Sequence, residues 1–274
     1  MRKQNGLISA IHYGVMIILL VLTLFPFYMT LVNSLKNRRD EIRNFWGLPR
    51  VFQWDNYSDA AVFLWPFIVN SLIVTGSIVA GVLVISTMAA YSFSRFQFPG
   101  KEFLFFLIIM LYMIPGFLLL VPQFIFIKNM GLLNTYLGQI FPPMALGATM
   151  ATLLVREFFN NIPNSLFEAA QIEGAGEFLI FFKVAVPLSY PIISVVAIWN
   201  TITGWNNYIW PLVITSGDAV KPVILALGRI PGSIEQGLGL QLAGYVIASL
   251  PLILLFIFAT RTFITGLTSG SVKG

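Results

Sequence analysis

The sequence predicts an all-α integral membrane protein with six transmembrane helices, and three observations carry that expectation. Of its 274 residues, 57% are hydrophobic and only 10% charged, with a mean hydropathy of +0.84; soluble domains run at about 45–50% apolar and about 25% charged. Six stretches without Asp, Glu, Lys or Arg reach the ~20 residues that a membrane-spanning helix needs: Gly6 to Leu35, Ala60 to Ser94, Phe103 to Ile127, Asn129 to Val155, Val184 to Gly217 and Gln236 to Thr260. Between the fourth and fifth lies a polar insert, residues 163–187, which holds Glu168, Glu173, Glu177 and Lys183.

The first stretch follows Met1-Arg-Lys-Gln-Asn. No small-x-small cleavage site comes before Lys36 and the apolar run is long enough to span, so the reading is an uncleaved first helix rather than a signal peptide. The loop after it mixes Lys36, Arg38, Arg39, Arg43 and Arg50 with Asp40, Glu41, Asp55 and Asp59, and carries Trp46, Trp54 and Trp65. Tryptophans in such a segment suit headgroup depth. Residues 1–66 therefore read as an N-terminal helix with its external loop, 67–264 as the core and 265–274 as a polar tail.

In the second stretch Gly76/Ala80 and Ser77/Gly81 are small residues four apart, a spacing that lets helices approach closely. The fifth contains Trp199-Asn200 and Thr203-Gly204-Trp205-Asn206-Asn207-Tyr208, the most polar and aromatic span of the chain. Amides suit sugar hydroxyls and aromatic rings suit the apolar face of a sugar, and polar side chains at membrane depth face protein or water. Asn200, Trp205, Asn206 and Asn207 are thus the candidates for a translocation path. Helix bridging or an interfacial position explains them equally well.

The insert has its own local logic. Ser165 precedes Glu168 by three residues, as in a capping box, which predicts a short helix starting at Leu166. Gly174 and Gly176 can take the left-handed conformation that ends a helix after about two turns, and Pro187 suits the first turn of the next helix.

Several functions are excluded on composition. The +5 net charge, set among so many apolar residues, suits loops facing lipid headgroups rather than nucleic acid. There is no cysteine and His12 is the single histidine, which removes thiol chemistry and histidine-based metal sites. Gly266 to Lys273 is the nearest approach to a phosphate loop, but its lysine does not follow the second glycine. The spans hold no Asp or Glu and no His except His12, which argues against a proton-driven carrier. A sodium-coupled carrier or a channel acting alone remains the alternative to an importer subunit.

Glu168-Ala169-Ala170, three residues, Gly174, nine residues and Val184-Ala185-Val186-Pro187 resemble the EAA signature of ABC-importer permeases, with Val184 and Val186 in place of Ile and Leu. Ala90-Tyr91 to Arg95-Phe96, Gly131-Leu-Leu-Asn134-Thr135, Trp205-Asn206 with Pro211-Leu212, and the tail Phe263 to Gly274 are similar to motifs of the carbohydrate-uptake, maltose-type branch. The resemblance runs from about Ser71 to the C-terminus. It implies the type I importer permease fold, with a short cytoplasmic coupling helix near 165–177, between helices 4 and 5, that docks on an ATPase subunit through Glu168, Ala169, Ala170, Glu173, Gly174 and Ala175.

The resemblance further implies a second, homologous permease as hetero-dimer partner, two ATPase subunits that hold ATP and Mg, and an extracytoplasmic sugar-binding protein. No cofactor, metal or catalytic residue is expected on this chain, and its tail would insert between the ATPases. Lys and Arg divide eight against eight between the two faces, but eight against three once the long first loop is set aside. That bias places both termini on the cytoplasmic side of a bacterial or archaeal inner membrane.

Overall fold

In a computed structural model the chain is described over residues 4–230 and 237–269, with side chains over 8–230 and 237–258. Among the described residues all regular structure is helical: α1 (Gln4–Ser34), α2 (Arg38–Arg43), α3 (Asp55–Arg95), α4 (Lys101–Met113), α5 (Leu120–Asn129), α6 (Tyr136–Asn160), α7 (Asn164–Ile172), α8 (Glu177–Ile180), α9 (Val186–Leu188), α10 (Tyr190–Trp205), α11 (Ile209–Ile214), α12 (Val223–Ala226) and α13 (Leu238–Ser269).

Among the described residues four helices are long and apolar enough to cross a membrane unbroken: α1, α3, α6 and α13. The other two expected spans are bent pairs rather than single helices. α4 and the segment 116–129 meet at 93°, and the run Glu177–Leu188 meets α10 at 76°. The first bend follows from Pro115, which disfavours helical backbone at the residue before it; Ile114 is extended, at φ −74° and ψ 120°.

The second bend corrects the expected fresh start at Pro187. Helix already begins at Glu177, widens into a π-helical segment over Phe181–Ala185 and passes through Pro187 before breaking at Ser189. Pro187 and Pro191 each lack a helical donor and crowd the preceding turn. The π segment precedes the first proline and the break precedes the second, which are recognised causes of bending. The fifth span also ends sooner than expected, at Trp205, and α11 resumes four residues later.

The chain divides into two compact units. The first comprises residues up to Pro66 and Ala226–Leu250. Within it the loop after α1 is folded around Lys36, a fully buried residue whose Nζ donates to the carbonyls of Asn44 (2.7 Å) and Phe45 (2.9 Å) just beyond α2. Burial lowers the pKa of Lys36, against the opposing pull of Asp40 and Glu41. Asn37 caps α2 by accepting from the Asp40 N–H. Trp46, Trp54 and Trp65 are exposed, as an interfacial role requires, and Trp46 stacks on Phe25 of α1.

The second unit comprises Phe67–Leu225 and residues from Pro251. Its core joins Val74, Ile78 and Val82 of α3, Ala148, Ala151 and Val155 of α6, Phe167 of α7 and Val196 of α10. The small-residue pattern in α3 is used on one face only. A Cβ on Gly81 would collide with the Met144 thioether, so α6 approaches closely there, whereas Gly76 has open space around it. Gly131 to Thr135 forms the junction into α6: Thr135 Oγ1 accepts from Gly138 N–H at 3.1 Å, and Asn134 Oδ1 accepts from Ser216 N–H at 2.6 Å.

Candidate functional site: an exposed insert helix and a polar cavity

The insert forms the expected short helix, but its start differs. α7 begins at Asn164, with Pro163 at the N-cap and no side-chain capping bond, so the capping box of Ser165 and Glu168 is not formed. Pro163 supplies an extended residue, at φ −56° and ψ 132°, which turns the chain into the helix two residues too early for Ser165 to cap. Asn164, the next residue able to cap, has its side-chain oxygen engaged by Arg95 Nη1 at 2.6 Å.

The C-terminal end follows the sequence. Gly174 is left-handed, at φ +84°, its N–H bonds to Gln171 O at 2.9 Å, and the Ala175 N–H reaches back to Ala170 O at 3.0 Å. This is the paired-bond helix ending that glycine favours. Gly176 is not left-handed but extended at the cap of α8.

α7 has two faces. Phe167 is buried, and Ala170 and Ala175 pack on the core, while Glu168, Ala169, Glu173 and Gly174 are exposed. Of the expected docking residues, four therefore lie outward and two inward. Between the two carboxylates stands Ile172, 87% exposed, a residue that sequence reasoning passed over. Its position four after Glu168 puts it on the same helical face.

The segments on both sides of α7 are tied to α3. Besides Asn164, Arg95 donates to Ile162 O (3.2 Å) and Phe159 O (3.4 Å), and its guanidinium lies 3.3 Å above the Phe167 ring. One turn earlier, Tyr91 donates to Glu177 Oε2 at 2.9 Å; Gln171 of α7 meets the other oxygen of that carboxylate at 3.4 Å.

The second feature is a cavity of about 480 Å³ between α3, α4, α6 and α10, within the size range of ligand pockets. Its polar and aromatic lining is Tyr112, Trp199, Asn200, Thr203 and Asn207, and among the described residues no charged one lines it. Of the path candidates, Asn200 and Asn207 are brought together there, whereas Trp205 is buried outside the lining and Asn206 is exposed outside it. Tyr112, Trp199 and Thr203 were missed. Trp199 and Thr203 stand four apart, and with Val196 and Asn200 they mark one face of α10, a spacing visible in the sequence.

The polar groups here bond mainly to their own helix. Asn200 Nδ2 donates to Val196 O at 2.9 Å and Thr203 Oγ1 to Trp199 O at 3.0 Å. A Cβ on Gly147 of α6 would collide with Asn200 Oδ1, so glycine is what admits this side chain between the helices. Residues 270–274 of the polar tail, and the side chains from 259 onward, lie outside the described residues.

Comparison with known proteins gives concordant matches. Residues 81–268 match the model of the family described as binding-protein-dependent transport system inner membrane component. The chain is 32% identical over 262 residues to the arabinooligosaccharides transport system permease protein AraQ of Halalkalibacterium halodurans, covering 92% of each protein. It is 30% identical to the sn-glycerol-3-phosphate transport system permease protein UgpE of Brucella suis, covering 97% of this chain and 98% of that one. Among solved structures, a bacterial ABC transporter involved in the import of the acidic polysaccharide alginate aligns at a TM-score of 0.79 and 21% identity, over 95% of this chain and 97% of that chain. The last match is a likeness of fold.

Proposed function

The chain belongs to the inner-membrane components of binding-protein-dependent transport systems, and on that premise we propose that it moves a neutral carbohydrate, using ATP hydrolysed on separate subunits that dock on α7. The observation that carries the docking assignment is Ile172. An isoleucine 87% exposed on a short helix between two carboxylates is a surface built to be covered, because single apolar anchors ringed by polar groups are how interfaces are centred. The chain carries no phosphate loop in its sequence, so ATP and Mg would be held by the docked ATPases.

The neutral character of the solute follows from the cavity. Its lining offers amides, hydroxyls and two aromatic rings and no cation, whereas a phosphorylated or acidic solute calls for Arg or Lys. A sugar would set its apolar face on Trp199 or Tyr112 and its hydroxyls on Asn200, Thr203 and Asn207. An external binding protein would deliver it, and a second homologous permease would complete the path. Both termini would then lie on the side of α7, facing the cytoplasm.

The test is uptake by membranes carrying variant chains. Glu168→Lys and Gly174→Asp are expected to abolish ATP-driven uptake while the chain still inserts in the membrane. Normal uptake by both variants overturns the docking assignment.

A further inference from the structure

We propose that Tyr91 and Arg95 clamp the insert to α3, so that α3 carries a displacement of α7 to the cavity wall. The proposal rests on the reading of α7 as a docking helix. It concerns the route by which movement leaves that helix.

Two routes connect α7 to the cavity. The covalent one runs through α8 and α9 into α10, and it is interrupted twice: by the π-helical segment Phe181–Ala185 and by the 76° break at Ser189. A path with two such interruptions bends before it pushes. The other route leaves the insert through side chains. Arg95 grips its start by donating to Asn164 Oδ1 and Ile162 O and by placing its guanidinium over the Phe167 ring, and it also holds the end of α6 through Phe159 O. Tyr91 grips its end at Glu177, and its ring packs edge-on against Phe159 and Phe181.

Residues 91 and 95 are one helical turn apart, so both grips fall on one face of α3. From Tyr91 back to Ile78, which lines the cavity, α3 runs without interruption over about 20 Å at 1.5 Å per residue. Within that run Val82 crowds the position of Gly147, and Thr75, about one turn beyond Ile78, lies against Gly204, the former at 2.9 Å and the latter at 3.3 Å from where a Cβ would stand. A shift of α3 therefore changes the packing of α6 and α10, which both line the cavity, and α10 carries Asn200 and Thr203. The motif residues Tyr91 and Arg95 thereby gain a role as positioning residues.

The test measures three quantities on transporter purified whole from membranes through a tag on this chain: the amount of ATPase subunit recovered, basal ATP hydrolysis, and ATP hydrolysed per solute imported. Tyr91→Phe loses one hydroxyl, and Arg95→Lys loses the planar fork and its stacking. Both are expected to keep ATPase recovery and basal hydrolysis while raising ATP spent per solute about ten-fold, inside the 5–150-fold span of typical coupling energies. Glu177→Gln keeps an acceptor for Tyr91 and is expected to stay near normal. The double variant Tyr91→Phe with Glu177→Leu is expected to be no worse than either single change.

Unchanged ATP per solute in Tyr91→Phe and Arg95→Lys overturns the clamp, and so does additive loss in the double variant. Loss of ATPase recovery in parallel with uptake also overturns it, since the residues would then only shape the docking face. Glu168→Lys run alongside tests that face separately: unimpaired recovery and uptake in that variant sink the docking reading whatever the clamp variants do.

Discussion

The insert and the cavity are both polar interruptions of an apolar chain, yet their hydrogen bonds run in opposite directions. In the insert the side-chain bonds cross between elements far apart in sequence: Tyr91 to Glu177, and Arg95 to Asn164 and Ile162. In the cavity Asn200 and Thr203 bond back to the preceding turn of α10. Cross-element bonds fix one helix relative to another and make a unit that moves together. Bonds within a helix satisfy the donor, keep the side chain in place and leave neighbouring elements free to shift around it. On the function proposed above, the insert would transmit force and the cavity would reshape around a solute, and these two arrangements suit those tasks respectively.

Substitution at one glycine in each region tests the contrast, and the cavity should show the larger effect. Gly147 admits Asn200 between α6 and α10, so Gly147→Ala overpacks a crossing of two helices. That costs about 1–3 kcal/mol by the usual measure of added methylenes in packed sites, read as a lowered midpoint of thermal unfolding in detergent. Adding Asn200→Ala should recover most of the loss, because the colliding oxygen is gone; a double variant as unstable as the single one would show that Val82, the other neighbour, sets the limit.

At the insert the glycine is needed for its backbone. Nothing stands within 4 Å of a Cβ on Gly174, but its φ is +84°. Gly174→Ala should therefore cost about 1–2 kcal/mol from left-handed strain alone. No second-site truncation should relieve it. Recovery of stability by any neighbouring Ala substitution would mean that the two glycines do not differ in kind.

The spans were legible because they depend on composition alone: six charge-free stretches suffice, and among the described residues four hold an unbroken span and two a bent pair of helices. Their breaks were less legible. Pro66, Pro142, Pro143 and Pro251 lie inside continuous helices, while Pro115 stands at a break and Pro187 follows a π segment. Whether a proline bends a helix depends on what packs around the freed carbonyl, which a single sequence does not encode. The left-handed Gly174 was readable because it is a local requirement. Ile172 was hidden because apolar residues are ordinary in this chain, and only the two-sided packing of α7 marks one of them as exposed. At the cavity, Trp205-Asn206 drew attention as a dipeptide, but the packing of α10 against α3 and α6 sets Trp199 and Thr203 on the cavity wall and buries Trp205 away from it.

The smallest expected effect comes from Ser165, and it bears on how the start of α7 is held. A capping serine would cost about 0.5–2 kcal/mol when replaced by alanine. Here Ser165 is exposed and lies one residue inside the helix, with Pro163 at the cap and Asn164 bound to Arg95. Ser165→Ala should then change stability by less than about 0.5 kcal/mol, the range of ordinary surface substitutions, and leave uptake unaltered. Asn164→Ala removes the Arg95 contact at the same helix end and should exceed it in both measurements. If Ser165→Ala proved the costlier change, the start of α7 would be held by its own local capping rather than by α3, and the contrast between cross-linked insert and self-bonded cavity would fail at that end.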